Sequence, residues 1–203
     1  SSLVQYAVLK YSKIYSVGLC NGPISAFEKI ASALELPLQA LSFDYLGMHH
    51  FGFVTGVWWK GRDMMPEVLA KADQVADGVE PALLQAIGAV PGPYFNYFFH
   101  PDRVLEKKKG KRARGEELLD LQDELLAEYP TAIEEGKIPT GIGRRKARWY
   151  ADIVAPVLYA FVEQHAFAAS GAVPLFYLNL RNGWTIPWLP AEAVVEVPVV
   201  IEK

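Results

Sequence analysis

A lone thiol and a pair of adjacent imidazoles are the side chains of this sequence best suited to chemistry. Cys20, the only cysteine, closes the apolar run Val17-Gly18-Leu19 and is followed by Asn21-Gly22-Pro23. His49 and His50, two of the four histidines, stand in Tyr45-Leu46-Gly47-Met48-His49-His50-Phe51-Gly52. Thiolate and imidazole are both ligands for divalent transition metals. Each motif lies where an apolar segment breaks at glycine or proline, the kind of place where a rigid scaffold presents a functional side chain. Adjacent histidines point in different directions on most backbones, so at most one of them is expected to join Cys20. Two protein ligands fall short of a closed zinc site. The expected site is therefore open, completed by water, substrate or another part of the protein.

The elements that must position these residues follow from hydrophobic spacing and from glycine and proline punctuation. Residues 2–11 read as an amphipathic helix and 14–19 as a short strand ending at the cysteine. Residues 23–34 are helical, with Pro23 tolerated near the start. Residues 41–46 and 53–59 alternate like strands on either side of the histidines. Helices are expected over 66–75 and 81–87, after which Pro91-Gly92-Pro93 breaks the chain ahead of the aromatic cluster 94–100. A basic stretch, 106–114, precedes an acidic helix over 115–129. It reads as a solvated loop or helix end whose charge that helix offsets, and not as a nucleic-acid surface, because the aromatics are not interleaved with it. A long apolar helix over 148–167 should kink at Pro156. A strand over 175–180, a turn at Arg181-Asn182-Gly183 and a final strand over 193–201 complete the chain, with Asn-Gly marking a turn between antiparallel partners. The fold class is α+β, with helices packed on a mostly antiparallel or mixed sheet.

Composition bounds the function. The 203 residues are 51% apolar and 21% charged, the profile of a folded globular chain that reads as a single domain, 1–203. A net charge of -3 gives no general attraction to nucleic acid or an anionic membrane. One cysteine forms no internal disulfide, so a reducing cytoplasmic setting is expected. No run of about 18 apolar residues is present to span a membrane. Both ends enter regular patterns at once, which reads as a piece of a longer polypeptide.

The motifs together carry a family resemblance. Val17-Gly18-Leu19-Cys20-Asn21-Gly22-Pro23-Ile24 resembles the cysteine motif of the NAD-dependent family 4 glycoside hydrolases, in the form carried by 6-phospho-β-glucosidases. The histidine motif resembles their Gly-Leu-Asn-His-Leu, and Pro91-Gly92-Pro93-Tyr94 their Pro-Asn-Pro-Tyr. Residues 144–152 resemble their Lys-Arg-Gly-Gly-Ala-x-Tyr-Ser. Asn179-Leu180-Arg181-Asn182-Gly183, with Leu189-Pro190 and Glu196-Val197-Pro198, resembles the closing motifs. Order and rough spacing agree over nearly the whole chain. The resemblance implies the C-terminal catalytic part of such an enzyme, similar in fold to the C-terminal domain of lactate and malate dehydrogenases. The N-terminal Rossmann domain that holds NAD and the last C-terminal helices would then lie outside these residues, consistent with the lack of a Gly-x-Gly-x-x-Gly.

The chemistry implied by the resemblance departs from the two-carboxylate scheme of most glycosidases. NAD oxidises the sugar 3-hydroxyl, a base removes the acidified hydrogen at carbon 2, the aglycone is eliminated, water adds and the ketone is reduced again. A divalent metal, usually manganese, assists as a Lewis acid. Carried over by motif, Cys20 and His50 match the metal ligands and Tyr150 the base. Asn21 matches a substrate contact where members acting on α-glycosides often have aspartate, which favours a β-glycoside here. Arg181 is a candidate for a sugar phosphate, and Arg145, with Arg144 and Arg148, for the cationic field at the base. Taken alone, Tyr150 reads as core and Arg181 equally as an exposed turn arginine. His100 and His165 match nothing functional. The sequence departs from the family at His49, where asparagine is usual, and at Lys146-Ala147, where a glycine pair is usual, with Arg148 replacing a small residue. The expected partners are a small sugar or sugar phosphate and further copies of the chain in a homo-oligomer. The alternative is a non-catalytic sugar-binding or assembly module on the same fold.

Overall fold

Antiparallel pairing organises the molecule. The computed structural model describes residues 2–145, 149–162 and 175–201. Within these, β1 (Gly18–Leu19), β2 (Leu41–Met48), β3 (Phe51–Trp59), β4 (Arg62–Asp63), β5 (Val90–Pro91), β6 (Leu175–Arg181) and β7 (Val194–Val200) form one seven-stranded sheet. Its order is β1-β6-β7-β2-β3-β4, with β5 on β3, and every pairing is antiparallel. The mixed alternative is therefore settled for these strands, and the architecture is α+β.

Helices α1 (Ser2–Tyr11), α2 (Gly22–Leu34), α3 (Met65–Ala70), α4 (Ala72–Val75) and α5 (Pro81–Ile87) precede the aromatic α6 (Phe95–Phe99). Then come α7 (Pro101–Lys108), α8 (Arg114–Glu134) and α9 (Ala155–Val162). The main core lies between α2–α5 and the β2–β3 pair. Phe27 stacks on Phe43 with centroids 4.2 Å apart and meets Tyr45 and Tyr177 edge-on, while Ile30, Val54, Val57 and Leu84 are fully buried. Such aromatic contacts add to the burial of apolar area that drives the packing. No helix among the described residues is long and apolar enough to cross a membrane.

Differences from the sequence expectations have local causes. The helix expected over 66–75 breaks at Lys71, whose amide caps α3 and whose carbonyl starts the next turn. Of the strand expected over 14–19 only Gly18–Leu19 pairs. The acidic helix runs on through Pro130 to Glu134. Its N-terminal turns take up the basic stretch, with Arg112 on Glu116 and Asp120 and Arg114 on Glu117. At Pro156 the backbone opens into a π-turn over Tyr150–Val154 before α9 begins. The widened turn accommodates a ring that brings no N–H to the ladder. The remainder of the expected 148–167 helix, with Lys146, Ala147, Arg148 and His165, lies outside the described residues. Residues 182–193 form a long loop between β6 and β7 and not a tight hairpin. Asn182, 1% exposed, clamps it: its amide nitrogen donates to the carbonyls of Ile186, Leu189 and Pro190, and its oxygen accepts from the Ile186 N–H at 2.7 Å.

Candidate metal centre

Cys20 is delivered to the site by a junction that only glycine permits. A Cβ on Gly18 would stand 2.4 Å from Gln5 Oε1 and 2.8 Å from Asn179 Cβ, so β1 can press against α1 and β6 only without a side chain there. Gln5, buried, ties the junction by donating to the carbonyls of Ser16 at 3.1 Å and Asn179 at 2.6 Å. The chain then turns into α2 with Asn21 at its N-cap and Pro23 in the first turn. The Gly22 N–H donates to Cys20 Sγ at 3.3 Å.

The two histidines form the turn of the β2–β3 hairpin, between the paired residues Met48 and Phe51. His50 holds a φ of 65°, a left-handed conformation uncommon for a side-chain-bearing residue and often found at functional positions. This turn lays the His49 and His50 rings face to face, centroids 3.9 Å apart. Both imidazoles therefore reach Cys20: one ligand atom from each of the three residues lies within 4.8 Å of the others. The expectation that at most one histidine would do so is corrected, because the tight turn stacks two rings that an extended backbone would splay.

A third ring closes the far side. The Gly92 N–H donates to the Gly52 carbonyl at 2.9 Å, and β5 registers Pro91 opposite Phe53. The following Tyr94 is thereby stacked on His50 at 3.9 Å. Beneath, Phe95 is fully buried and stacks on Phe51 at 4.3 Å. In the sequence Tyr94 stood in an aromatic cluster and in the Pro-Gly-Pro-Tyr motif, with no role of its own at the site.

The electrostatics keep the donors neutral. Burial lowers His49 to about 4, helped by its neighbour His50, and burial also lowers His50. Burial pushes the Cys20 thiol up to about 11, reinforced by the charge of Glu196 and opposed by the Gly22 N–H. Two neutral imidazoles have lone pairs to give, and a cation bound there would displace the thiol proton. The donor set thus fits a divalent transition ion.

Behind the site lies a buried polar node that sequence reasoning missed. Glu196, 0% exposed, accepts from the Tyr45 hydroxyl at 2.6 Å and from the Asn179 side-chain amide at 2.9 Å. Burial raises its carboxyl above the usual range. The available signal was a single acid inside the β-branched run of β7, where a charge must find partners. Gly52 makes room for it, since a Cβ there would stand 1.9 Å from the Tyr45 oxygen.

The other candidates lie around this core to different degrees. Asn21 shares a small cavity of about 180 Å³ with Trp149, Asp152 and Ile153. Cys20 shares another, about 200 Å³, with Asp152, Ile153 and β6 residues. The Tyr150 segment therefore borders both motifs, with Tyr150 itself 57% exposed and its ring against Trp149 at 4.1 Å. It is not core, as the bare residue reading had it. Arg181 is exposed at the end of β6, opposite Val194. Arg145 stands apart, lining an apolar cavity against α8 with Leu118, Leu125 and Tyr129, while Arg144 pairs with Glu124.

Residues 45–203 match the sequence profile of the family 4 glycosyl hydrolase C-terminal domain. The chain is 25% identical over 200 residues to the 6-phospho-beta-glucosidase BglT of Thermotoga maritima, covering 96% of this chain and 45% of that protein. It is 23% identical over 219 residues to a probable 6-phospho-beta-glucosidase of Bacillus subtilis, covering 100% and 48%. The chain spans about half the length of the curated relatives it matches. The solved Thermotoga maritima 6-phospho-beta glucosidase with manganese, NAD+ and glucose-6-phosphate has the same fold over 100% of this chain and 46% of its own, with a TM-score of 0.79 at 22% identity.

Proposed function

Since the chain belongs to the family 4 glycosyl hydrolases through their C-terminal domain, we propose that it is the substrate- and metal-binding part of a glycosidase acting on a 6-phospho-β-glucoside. The observation that carries the reading is the convergence of Cys20, His49 and His50 within 4.8 Å on one face of such a domain. When bound, a divalent cation such as Mn2+ supplies Lewis acidity toward the sugar oxygens, and NAD supplies hydride exchange at carbon 3. NAD would be held mainly by a dinucleotide-binding domain outside these residues.

Within the chain, Cys20 and His50 would hold the cation. Tyr150, whose phenol is exposed at the start of the π-turn, takes the proton from carbon 2. A phenol is a weak base at neutral pH and needs the field of a nearby cation to serve. Asn21, at the start of α2 and on the cavity shared with the Tyr150 segment, orients the substrate. Its amide has no proton to give a leaving group, which favours a β-glycoside. Arg181 and Arg145 are assigned to the sugar phosphate and the cationic field on motif alone, since neither touches the Cys20 cluster among the described residues. A thiol ligand must stay reduced, which suits the cytoplasm, and the homo-oligomeric state is a matter for size-exclusion chromatography.

The test is exchange of the carbon-2 hydrogen of a 6-phospho-β-glucoside with deuterated solvent, using the full-length native polypeptide with NAD and Mn2+. Exchange should be present in the native enzyme and lost in Tyr150→Phe. Exchange retained in that variant removes Tyr150 from the reaction, and binding of glucose-6-phosphate without any exchange favours the sugar-binding module.

A further inference from the structure

We propose that Glu196 is a positioning residue for the cation at Cys20 and His50: not itself a ligand, its buried carboxylate supplies the negative charge that a divalent ion leaves unmatched there. The inference rests on the reading of Cys20 and His50 as ligands.

One row of the sheet joins the carriers of those two ligands. β1 registers Gly18 opposite Asn179, β6 registers Asn179 opposite Glu196, β7 registers Glu196 opposite Gly47, and β2 registers Gly47 opposite Gly52. Gly18 stands two residues before Cys20, and Gly47 and Gly52 flank the turn that carries both histidines. Glu196 is therefore the middle member of a five-strand row. At Gly18 and Gly52 the missing side chain leaves the space that Gln5 and Tyr45 occupy.

The charge in this row is unmatched. Glu196 is 0% exposed, and its oxygens accept from neutral donors, the Tyr45 hydroxyl at Oε2 and the Asn179 amide at Oε1. Among the described residues no lysine, arginine or histidine forms an ion pair with it. Asn179 Oδ1 is likewise buried without a hydrogen-bond partner, so acceptors outnumber donors in the node. An ionised carboxylate enclosed in this way calls for a cation. Burial chiefly holds the Cys20 thiol protonated, and the charge of Glu196 adds to that effect, so the carboxylate is felt at the ligand. When the ion binds, the thiol exchanges a proton, one positive charge, for two. The carboxylate gains on that exchange, and ion, thiolate and carboxylate together carry no net charge.

Glu196→Gln separates charge from shape. The glutamine oxygen can accept from Asn179 while its NH2 donates to the Tyr45 oxygen, whose hydroxyl rotates to suit. Both contacts then survive and only the charge is lost. The experiment titrates Mn2+ into the full-length native polypeptide and the variant at mildly alkaline pH, reading unbound ion by electron paramagnetic resonance. Thermal unfolding of both metal-free forms is recorded alongside. Glu196→Gln should weaken Mn2+ binding by roughly 10–100-fold, the loss typical of groups that support a metal's ligands. Its metal-free Tm should equal or exceed the native value, because an unpaired buried charge has been removed. A part played only in holding the strands together gives the reverse, a lower Tm. Unchanged Mn2+ affinity, or a variant that is less stable without metal or does not fold, overturns the proposal. Cys20→Ser keeps the two readings apart. If it leaves Mn2+ affinity intact, the site at Cys20 and His50 itself fails. If it weakens binding while Glu196→Gln does not, only the role of Glu196 fails.

Discussion

Replacing Tyr45 by phenylalanine removes one oxygen from the buried node and tests whether the Glu196 carboxylate depends on it. The ring should stay in place, since its edge-on contacts with Phe27 and Tyr177 do not involve the hydroxyl. What is lost is a 2.6 Å hydrogen bond to a carboxyl group that is 0% exposed. A bond to a charged partner contributes about 1.5–3 kcal/mol, against about 1 kcal/mol for a neutral one. The sign with pH follows from the carboxyl. Burial raises Glu196, and the Tyr45 and Asn179 hydrogen bonds pull it partly back. The folded protein thus keeps a proton that the unfolded chain sheds at about pH 4.3. Stability falls as pH rises from that value and levels once the folded group has ionised. In Tyr45→Phe the carboxyl is raised further, so the fall continues to higher pH. The variant should differ from the native chain by about 1 kcal/mol in acid, where Glu196 is neutral in both, and by about 1.5–3 kcal/mol once it is charged. At the higher pH this corresponds to a loss of about 3–12 °C in Tm for a chain of this size. Urea unfolding followed by circular dichroism across that range measures the gap. A gap that stays constant, or narrows as pH rises, refutes the argument that Tyr45 serves the ionised acid.

Three further outcomes follow from the same reasoning. Gly52→Ala should destabilise by about 1–3 kcal/mol or more, because its Cβ would stand 1.9 Å from the Tyr45 oxygen and 2.4 Å from the ring carbon bearing it; denaturant unfolding reads this. Asn182→Ala should cost about 2–4 kcal/mol through lost buried hydrogen bonds and raise amide exchange of Ile186 and its loop, whose N–H loses its acceptor. Glu128 accepts from the Thr140 N–H and hydroxyl and from the Gly141 N–H, which hold its carboxyl below the usual range. The anchor of 140–145 onto α8 should therefore be intact above the ordinary carboxylate range and weaken as pH falls through the lowered value of Glu128. In Glu128→Gln, exchange of the Thr140 and Gly141 amides should be fast at neutral pH and respond less to acid.

Local pattern carried much of the architecture. The period-two alternation over 41–46 and 53–59 and the helical spacing over 2–11 and 23–34 appear as β2, β3, α1 and α2 with bounds shifted by a few residues at most. These signals are short-range: a strand's alternation and a helix's stripe follow from the geometry of their own backbone. The proline at 156 likewise announced an irregularity, though not that it would be a π-turn. The cysteine and histidine motifs were legible because thiol and imidazole are rare and chemically distinctive, and their wording carried the family.

Other features depended on which segments become neighbours. Tyr45 and Glu196 are 151 residues apart and meet only because β7 lies beside β2 and is paired through Gly47 and Glu196. Alternation says which face a residue takes but not what stands opposite. Adjacent histidines diverge on most backbones, and the motif names His50 alone; the left-handed turn at His50 instead stacks the two rings. Tyr94 reaches His50 through one backbone hydrogen bond from Gly92 to Gly52, a contact with no sequence signature. Thus the sequence alone determined the donor types, the local elements and the family. The tertiary structure decided how many donors converge and what lies behind them, because convergence is set by strand order and turn geometry, which are properties of the assembled sheet.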